Sequence, residues 1–318
     1  MSILTPAAPR AVNNVILALP TFENVLPLFK LARGHLSEIL SAFEFIDRTA
    51  YELAVKHGQG KGLSDEDIEG AECFVLLETS GGKKEHDEEV RIPSVDAEAL
   101  INVFVRKKLT ILLETLLEAE QPLITTGVLS QTPGQFNSLW KLREGVPEAV
   151  SKEGKTYKYD ISVPIASFKE VVDATKEQLR GKGLLHEDAV RHVIGFGHVG
   201  DGKLQYPHIL MLTVSIHLAG NLHLNIAAAA YTQEIESALE PFVYELVGES
   251  LVPIIAIPQV DAVLLASYKG SVSAEHGIGA MKTHAMHYSK SGVAIDIMRR
   301  IKQVFDPHGI MNPGKVLE

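Results

Sequence analysis

The chain has 318 residues, of which 46% are hydrophobic and 22% charged, with 40 acidic against 30 basic side chains and a formal net charge of −10. That composition describes a globular chain with a sizeable core. It excludes a broad basic face for nucleic acid, though not an anionic ligand held by local positive groups. The single cysteine, Cys73, excludes a disulfide framework and a cysteine-rich zinc site. In the run CFVLLETSG it reads as a small buried apolar residue. The most apolar window, 251–266, is broken by Pro253, Pro258 and Asp261 and is too short to span a bilayer. The N-terminus lacks the shape of a secretory signal and reads as the edge of a strand inside a larger protein.

In chain order, the apolar run 15–19 stopped by Pro20 predicts a buried strand. Helical patterns follow over 22–32 and 36–57. Residues 74–77 read as a strand ended by Ser80, Gly81 and Gly82. Leucine-rich 110–119 and then 135–153, which carries Trp140 and Arg143, predict helices. Alternation over 156–163 predicts a strand. The stretch 168–179 is amphipathic, with Phe168, Val171, Val172 and Leu179 on one side. Strands are predicted over 191–196 and 222–228, and helices over 232–247 and 292–305. The last shows Ile297, Ile301 and Val304 at helical spacing and is stopped by Pro307. Strands alternating with helices, with no G-x-G-x-x-G after a strand and no P-loop, predict an α+β fold whose sheet is covered by helices.

Three short segments could carry chemistry. In 197–202, GHVGDG, three glycines around a His and an Asp form a tight turn that can expose an imidazole. In 221–225, NLHLN, strand geometry puts Asn221, His223 and Asn225 on one face. In 273–279, SAEHGIG, an acid and a His sit in a glycine-flanked turn. Two imidazoles and a carboxylate are a ligand set for Zn²⁺ with open positions. Such a cation can bind a substrate oxygen and lower its pKa. By spacing alone the metal signal is weak, and hydrogen-bonded turn histidines are the simpler reading. Arg143 offers a fork and Lys158 a point charge to an anion, or each forms a surface ion pair. The nucleophile–base arrangement of a zinc hydrolase is missing.

Nine motifs stand in one order along nearly the whole chain: PRAVN, GHLSEILSAFEFID, LLETSG, LWKLREG, YKYDISVP, GHVGDG, NLHLN, GSVSAEHGIG and FDPHGIMNPGKVL. In that order they resemble the C-terminal domain of the FAD-linked oxidases of the vanillyl-alcohol oxidase superfamily. The resemblance implies an antiparallel sheet covered by helices, the ferredoxin-like cap of such enzymes, over 1–267. It implies a C-terminal segment, 268–318, that returns to a flavin domain. It implies His198, His223 and Glu275 as zinc ligands, Asn225 and His276 as substrate contacts with His276 the base, and Arg143 and Lys158 as holders of carboxylates. Asn312 would lie near the flavin. Pro147 stands where some relatives carry a hydroxyl residue that contacts substrate. The implied cofactors are FAD and Zn²⁺. The implied reaction is oxidation of a D-2-hydroxyacid, with the YKYD and LREG forms resembling the branch that converts D-2-hydroxyglutarate to 2-oxoglutarate. Oxidation of D-lactate, or an inactive fragment of such an enzyme, are the alternatives. The location implied is mitochondrial, and the electron acceptor is unspecified.

The chain begins where the family's flavin domain ends, so by itself it is expected to bind FAD weakly or not at all. Three segments of equal length, 90–107, 203–220 and 248–265, interrupt motifs that are contiguous in the family. They read as translated, unspliced introns or as lineage-specific loops. The second separates His198 from His223, and such an apolar excursion is expected to weaken metal binding.

Overall fold

A computed structural model describes residues 11–81, 97–119, 121–199, 219–248 and 270–317. The proposed insertions fall largely outside the described residues: 90–96, 203–218 and 249–265 lie beyond them. The chain divides into two compact units, Met1–Ala149 and Val150–Glu318.

The first unit is built on four antiparallel strands. Its elements are β1 (Ala11–Leu19), α1 (Val25–Leu36), β2 (Leu40–Asp47), α2 (Arg48–Lys56), β3 (Cys73–Gly81), α3 (Ala97–Leu117), β4 (Thr126–Leu129) and α4 (Pro133–Glu144). β1 pairs with β3 and β4, and β3 also pairs with β2. Residues Val15 to Leu19 of β1 are all fully buried, so both faces of that strand are covered. The cover comes from α3 and α4, which pack on β1 and β3, and from α1 and α2, which pack on β2.

The segment 36–57 departs from expectation. It is not one helix but strand β2 followed by α2. Leu36, Leu40, Phe43 and Ile46 mimic a helical period. Yet Phe43 to Ile46 are buried on both faces of the sheet, so the strand shows no alternation to read. Asp47 marks the change: its side chain accepts the Ala50 N–H at 2.6 Å, an N-cap on α2. Within the same layer lies a buried ion pair. Nε of Arg143, on α4, is 2.7 Å from Glu44 Oε2, on β2, with side-chain exposures of 8% and 1%.

The predicted helix 135–153 is likewise two helices, α4 and α5 (Val146–Lys152), the latter holding the boundary between units. Pro147 sits in the first turn of α5, where its missing N–H costs nothing. β4 was not anticipated; it has four residues and no buried one. The helix expected over 110–119 is the end of α3, which runs back into residues assigned to an insertion.

The second unit has three antiparallel strands, β5 (Lys155–Pro164), β6 (Val190–His198) and β7 (Ala219–Ala228), with β7 paired to both others. Its helices are α6 (Phe168–Gly181), α7 (Gln233–Leu239), α8 (Phe242–Gly248), α9 (Met286–Ser289) and α10 (Gly292–Phe305). The single helix expected over 232–247 is interrupted at Pro241, which cannot continue the hydrogen-bond ladder. Phe168, Val171, Val172 and Leu179 of α6 are buried as their spacing predicted. The Tyr159 and Tyr244 hydroxyls both donate to Glu240 Oε1 at 3.1 Å, tying β5 to α8. Burial, then the Glu240 charge, pushes both phenols far up, so they stay neutral donors.

Segment 270–317 belongs to this unit. Ser271 exchanges backbone hydrogen bonds of 2.9 Å with Ser162 of β5, and the Val316 N–H reaches the Gly279 carbonyl at 2.7 Å. Met286, Ile295 and Leu317 form a small core with Ile278 and Met298 packed against it. Ile297, Ile301 and Val304 of α10 are, by contrast, exposed at 51%, 54% and 75%. Asp306 ends the helix and accepts from Lys302 Nζ at 2.8 Å and from the Ile310 and Met311 N–H groups at 2.9 and 3.0 Å.

Two predictions follow from these charge contacts. Arg143→Met removes the cation 2.7 Å from the buried Glu44 carboxylate and is expected to cost about 3–5 kcal/mol. Urea unfolding checks this, and the Glu44→Leu/Arg143→Met pair should recover most of the loss. At Asp306, the Lys302 hydrogen bond and the two backbone N–H groups hold the carboxyl below its ordinary value. The turn is therefore stabilised above the unfolded-state value of about 3.9 and loses that stability as pH falls through the lower folded value. Amide exchange should show Ile310 and Met311 losing protection as pH falls below about 3.9; unchanged protection would count against the assignment.

Candidate metal centre

Side-chain alternation sorts the second unit's sheet into an apolar and a polar face. Tyr159, Ile161 and Val163 of β5 and Leu222, Leu224 and Ile226 of β7 share the face under the helices. The opposite face carries Lys158, Asp160 and Ser162 of β5, directly across from Asn225, His223 and Asn221 of β7. On the other flank of β7, Phe196 pairs with His223, and His198 follows at the end of β6.

His198, His223 and Glu275 meet on this face. One ligand atom from each lies within 4.8 Å of the other two. His198 Nε2 is 3.4 Å from Glu275 Oε1, close to the spacing of about 3.3 Å between ligands of a tetrahedral zinc. The imidazoles of His198 and His223 lie 6.2 Å apart, centre to centre, and those of His223 and His276 6.1 Å. His223 is half-buried, while Glu275 and His276 are exposed. Two histidines and a carboxylate suit Zn²⁺, with room for an outside oxygen.

The turn that carries Glu275 and His276 is fastened to β5. The Ala274 N–H reaches the Asp160 carbonyl at 3.1 Å, and the Glu275 and His276 N–H groups reach Asp160 Oδ2 at 2.8 and 2.9 Å. Gly277 and Gly279 have φ of +74° and +56°, so the turn uses a left-handed geometry that glycine adopts freely. Asp160 Oδ1 stands 3.6 Å from His223 Nδ1. Burial by itself would push the Asp160 carboxyl up. The His276 and Glu275 backbone N–H bonds, helped by the nearby imidazoles, outweigh it and hold the group below its ordinary value.

Sequence reading missed Asp160. The signal was the alternation of YKYD, which puts an acid at the buried end of the face that Lys158 begins. Asn221 is also 5% exposed, and among the described residues neither of its amide atoms has a hydrogen-bond partner. A buried amide in that state points to a ligand or water on this face.

The remaining expected residues fall as follows. Lys158 is exposed and Asn225 buried, side by side across β5 and β7. Arg143 belongs to the first unit, where Glu44 engages it. Asn312, with φ +48°, lies in the exposed stretch after α10.

Close backbone approach holds the two histidines' strands together. A Cβ on Gly197 would overlap the Asn221 carbonyl oxygen, and one on Gly220 would press on the His198 carbonyl. Gly197→Ala should therefore part β6 from β7 and lower the protection of the β7 amides, read by hydrogen exchange. Unchanged protection in that variant would contradict the close packing.

The chain matches the family described as FAD linked oxidases, C-terminal domain, over residues 8–316. It is 38% identical over 320 residues to a Schizosaccharomyces pombe protein provisionally named a mitochondrial D-lactate dehydrogenase, covering 99% of this chain and 49% of that one. It is 36% identical to a D-2-hydroxyglutarate–pyruvate transhydrogenase of Saccharomyces cerevisiae, covering 100% of this chain and 53% of that one. It is 35% identical to the mitochondrial D-2-hydroxyglutarate dehydrogenase of Rattus norvegicus, covering 100% and 47%. The chain thus spans about half the length of the curated relatives it matches. Among solved structures, 4-ethylphenol oxidase from Gulosibacter chungangensis shares the fold, with a TM-score of 0.52 at 13% identity, covering 98% of this chain and 54% of that one. An α+β unit of antiparallel strands under helices, and a match from residue 8 to residue 316, place this chain in the FAD-linked oxidase family as its C-terminal domain.

Proposed function

We propose that the second unit binds substrate and metal for an FAD-dependent 2-hydroxyacid dehydrogenase that prefers D-2-hydroxyglutarate. The observation that supports this most is the convergence of His198, His223 and Glu275 beside His276 on one polar sheet face. A bound Zn²⁺ would supply Lewis-acid stabilisation to a hydroxyl oxygen losing its proton, and FAD would supply the hydride acceptor. His276 serves as the base for that proton: its backbone is fixed by Asp160 while its ring stays exposed to a ligand. Asn225 and Lys158, neighbours across the β5–β7 ladder, orient the substrate, Lys158 as a point charge for a second carboxylate. Because Arg143 already holds Glu44 through Nε, we assign the choice of a diacid over a monoacid to Lys158. Asn312 is our candidate for a contact with the flavin.

D-lactate is the second reading, favoured by the name of the S. pombe relative. A mitochondrial location is proposed from the names of two relatives. Among the described residues no helix is long and apolar enough to cross a membrane.

Calorimetry on the purified chain tests the proposal. With zinc added, D-2-hydroxyglutarate should bind more tightly than D-lactate, and chelation should abolish binding. Lys158→Met should erase the preference, about tenfold for one lost charged contact. Metal-independent binding, or D-lactate bound as tightly as the diacid, would overturn the reading.

A further inference from the structure

Asp160 has two oxygens with two different surroundings. It is 3% exposed, on β5, directly across the ladder from His223. Oδ2 accepts the backbone N–H groups of Glu275 and His276 at 2.8 and 2.9 Å. Those bonds set where a carboxylate and an imidazole leave the main chain. Oδ1 is buried and, among the described residues, accepts no hydrogen bond. Leaving a buried carboxylate oxygen without a donor is costly. The ring nitrogen facing it is His223 Nδ1, at 3.6 Å. A proton on Nδ1 would satisfy Oδ1 after a small approach. The same proton leaves the Nε2 lone pair of His223 open to a cation, because the two ring nitrogens of a neutral imidazole cannot both donate.

We propose that Asp160 is the positioning residue of this centre, one carboxylate that fixes the Glu275–His276 turn through Oδ2 and the tautomer of His223 through Oδ1. This rests on the metal reading above and extends it to a residue outside the ligand set. The role demands an acceptor at both oxygens. An asparagine amide has one acceptor and one donor end. With its oxygen toward the turn, its NH₂ faces His223 Nδ1 and favours the wrong tautomer. With its oxygen toward His223, its NH₂ meets two N–H donors. Asp160→Asn can therefore keep one function but not both.

The full chain, loaded with zinc, tests this in two ways. Long-range ¹H–¹⁵N spectra of the unaltered protein report which ring nitrogen of His223 carries the proton; Nδ1 is expected. Zinc titration of Asp160→Asn should show affinity about 10–100-fold weaker than the parent, the usual effect of losing such an outer partner. His223 bound to zinc through Nδ1 overturns the assignment, and this measurement does not depend on the variant folding. A folded Asp160→Asn chain with parental zinc affinity overturns it as well. An unaltered chain that takes up no zinc refutes the metal reading itself, and the role of Asp160 with it.

Discussion

The second unit depends on one constraint: β7 is hydrogen-bonded on both sides. With β5 and β6 locked to it in register, every residue of β7 has a fixed face. A slip of one residue on either flank would exchange the faces. Leu222, Leu224 and Ile226 would then leave the cover of the helices, and His223 would lose Asp160 and Phe196 as neighbours. The burial that stabilises the sheet and the geometry that gathers the histidines therefore come from the same registration. Gly197 and Gly220 serve it by letting the main chains of β6 and β7 approach where any side chain would separate them.

The polar face gathers ionisable groups of both signs. The chain is acidic as a whole, at −10, yet this face carries Lys158 and three imidazoles around two acids. Asp160 is buried and ionised; Glu275 is exposed. The difference assigns them different work. A buried carboxylate held by backbone N–H groups cannot move toward a ligand, whereas Glu275 can swing to meet one. In the proposed centre the buried acid would stand behind the ligands and fix their orientation, as outer partners do in metal sites.

The first unit uses charge in another way. Glu44 and Arg143 bury an ion pair within a largely apolar sheet layer that also buries Asn14 and Thr79. Such a pair adds little net stability, since desolvation offsets attraction, but breaking it is costly. Its effect is to hold α4 and β2 in one relation. Read as a motif, LREG pointed to Arg143 as a fork for a ligand carboxylate; in the folded unit a carboxylate of the protein itself occupies that fork's Nε edge.

Where capping residues, breakers and local periodicity set an element by themselves, the sequence alone was enough. Residues 292–305 form a helix with the bounds expected, between the Ser291 N-cap and Pro307. β5 alternates visibly because one face is apolar and the other polar. The glycine-flanked histidines and Glu275 stood out by residue type, and motif order identified them as a set. Tertiary structure decided the rest. Residues 40–47 became a strand because pairing with β3 and burial on both faces outweighed a helical period. Asp160 came to face the gathered histidines only when a turn 115 positions later closed on it. Such contacts join residues distant in sequence, and no local propensity or spacing encodes them.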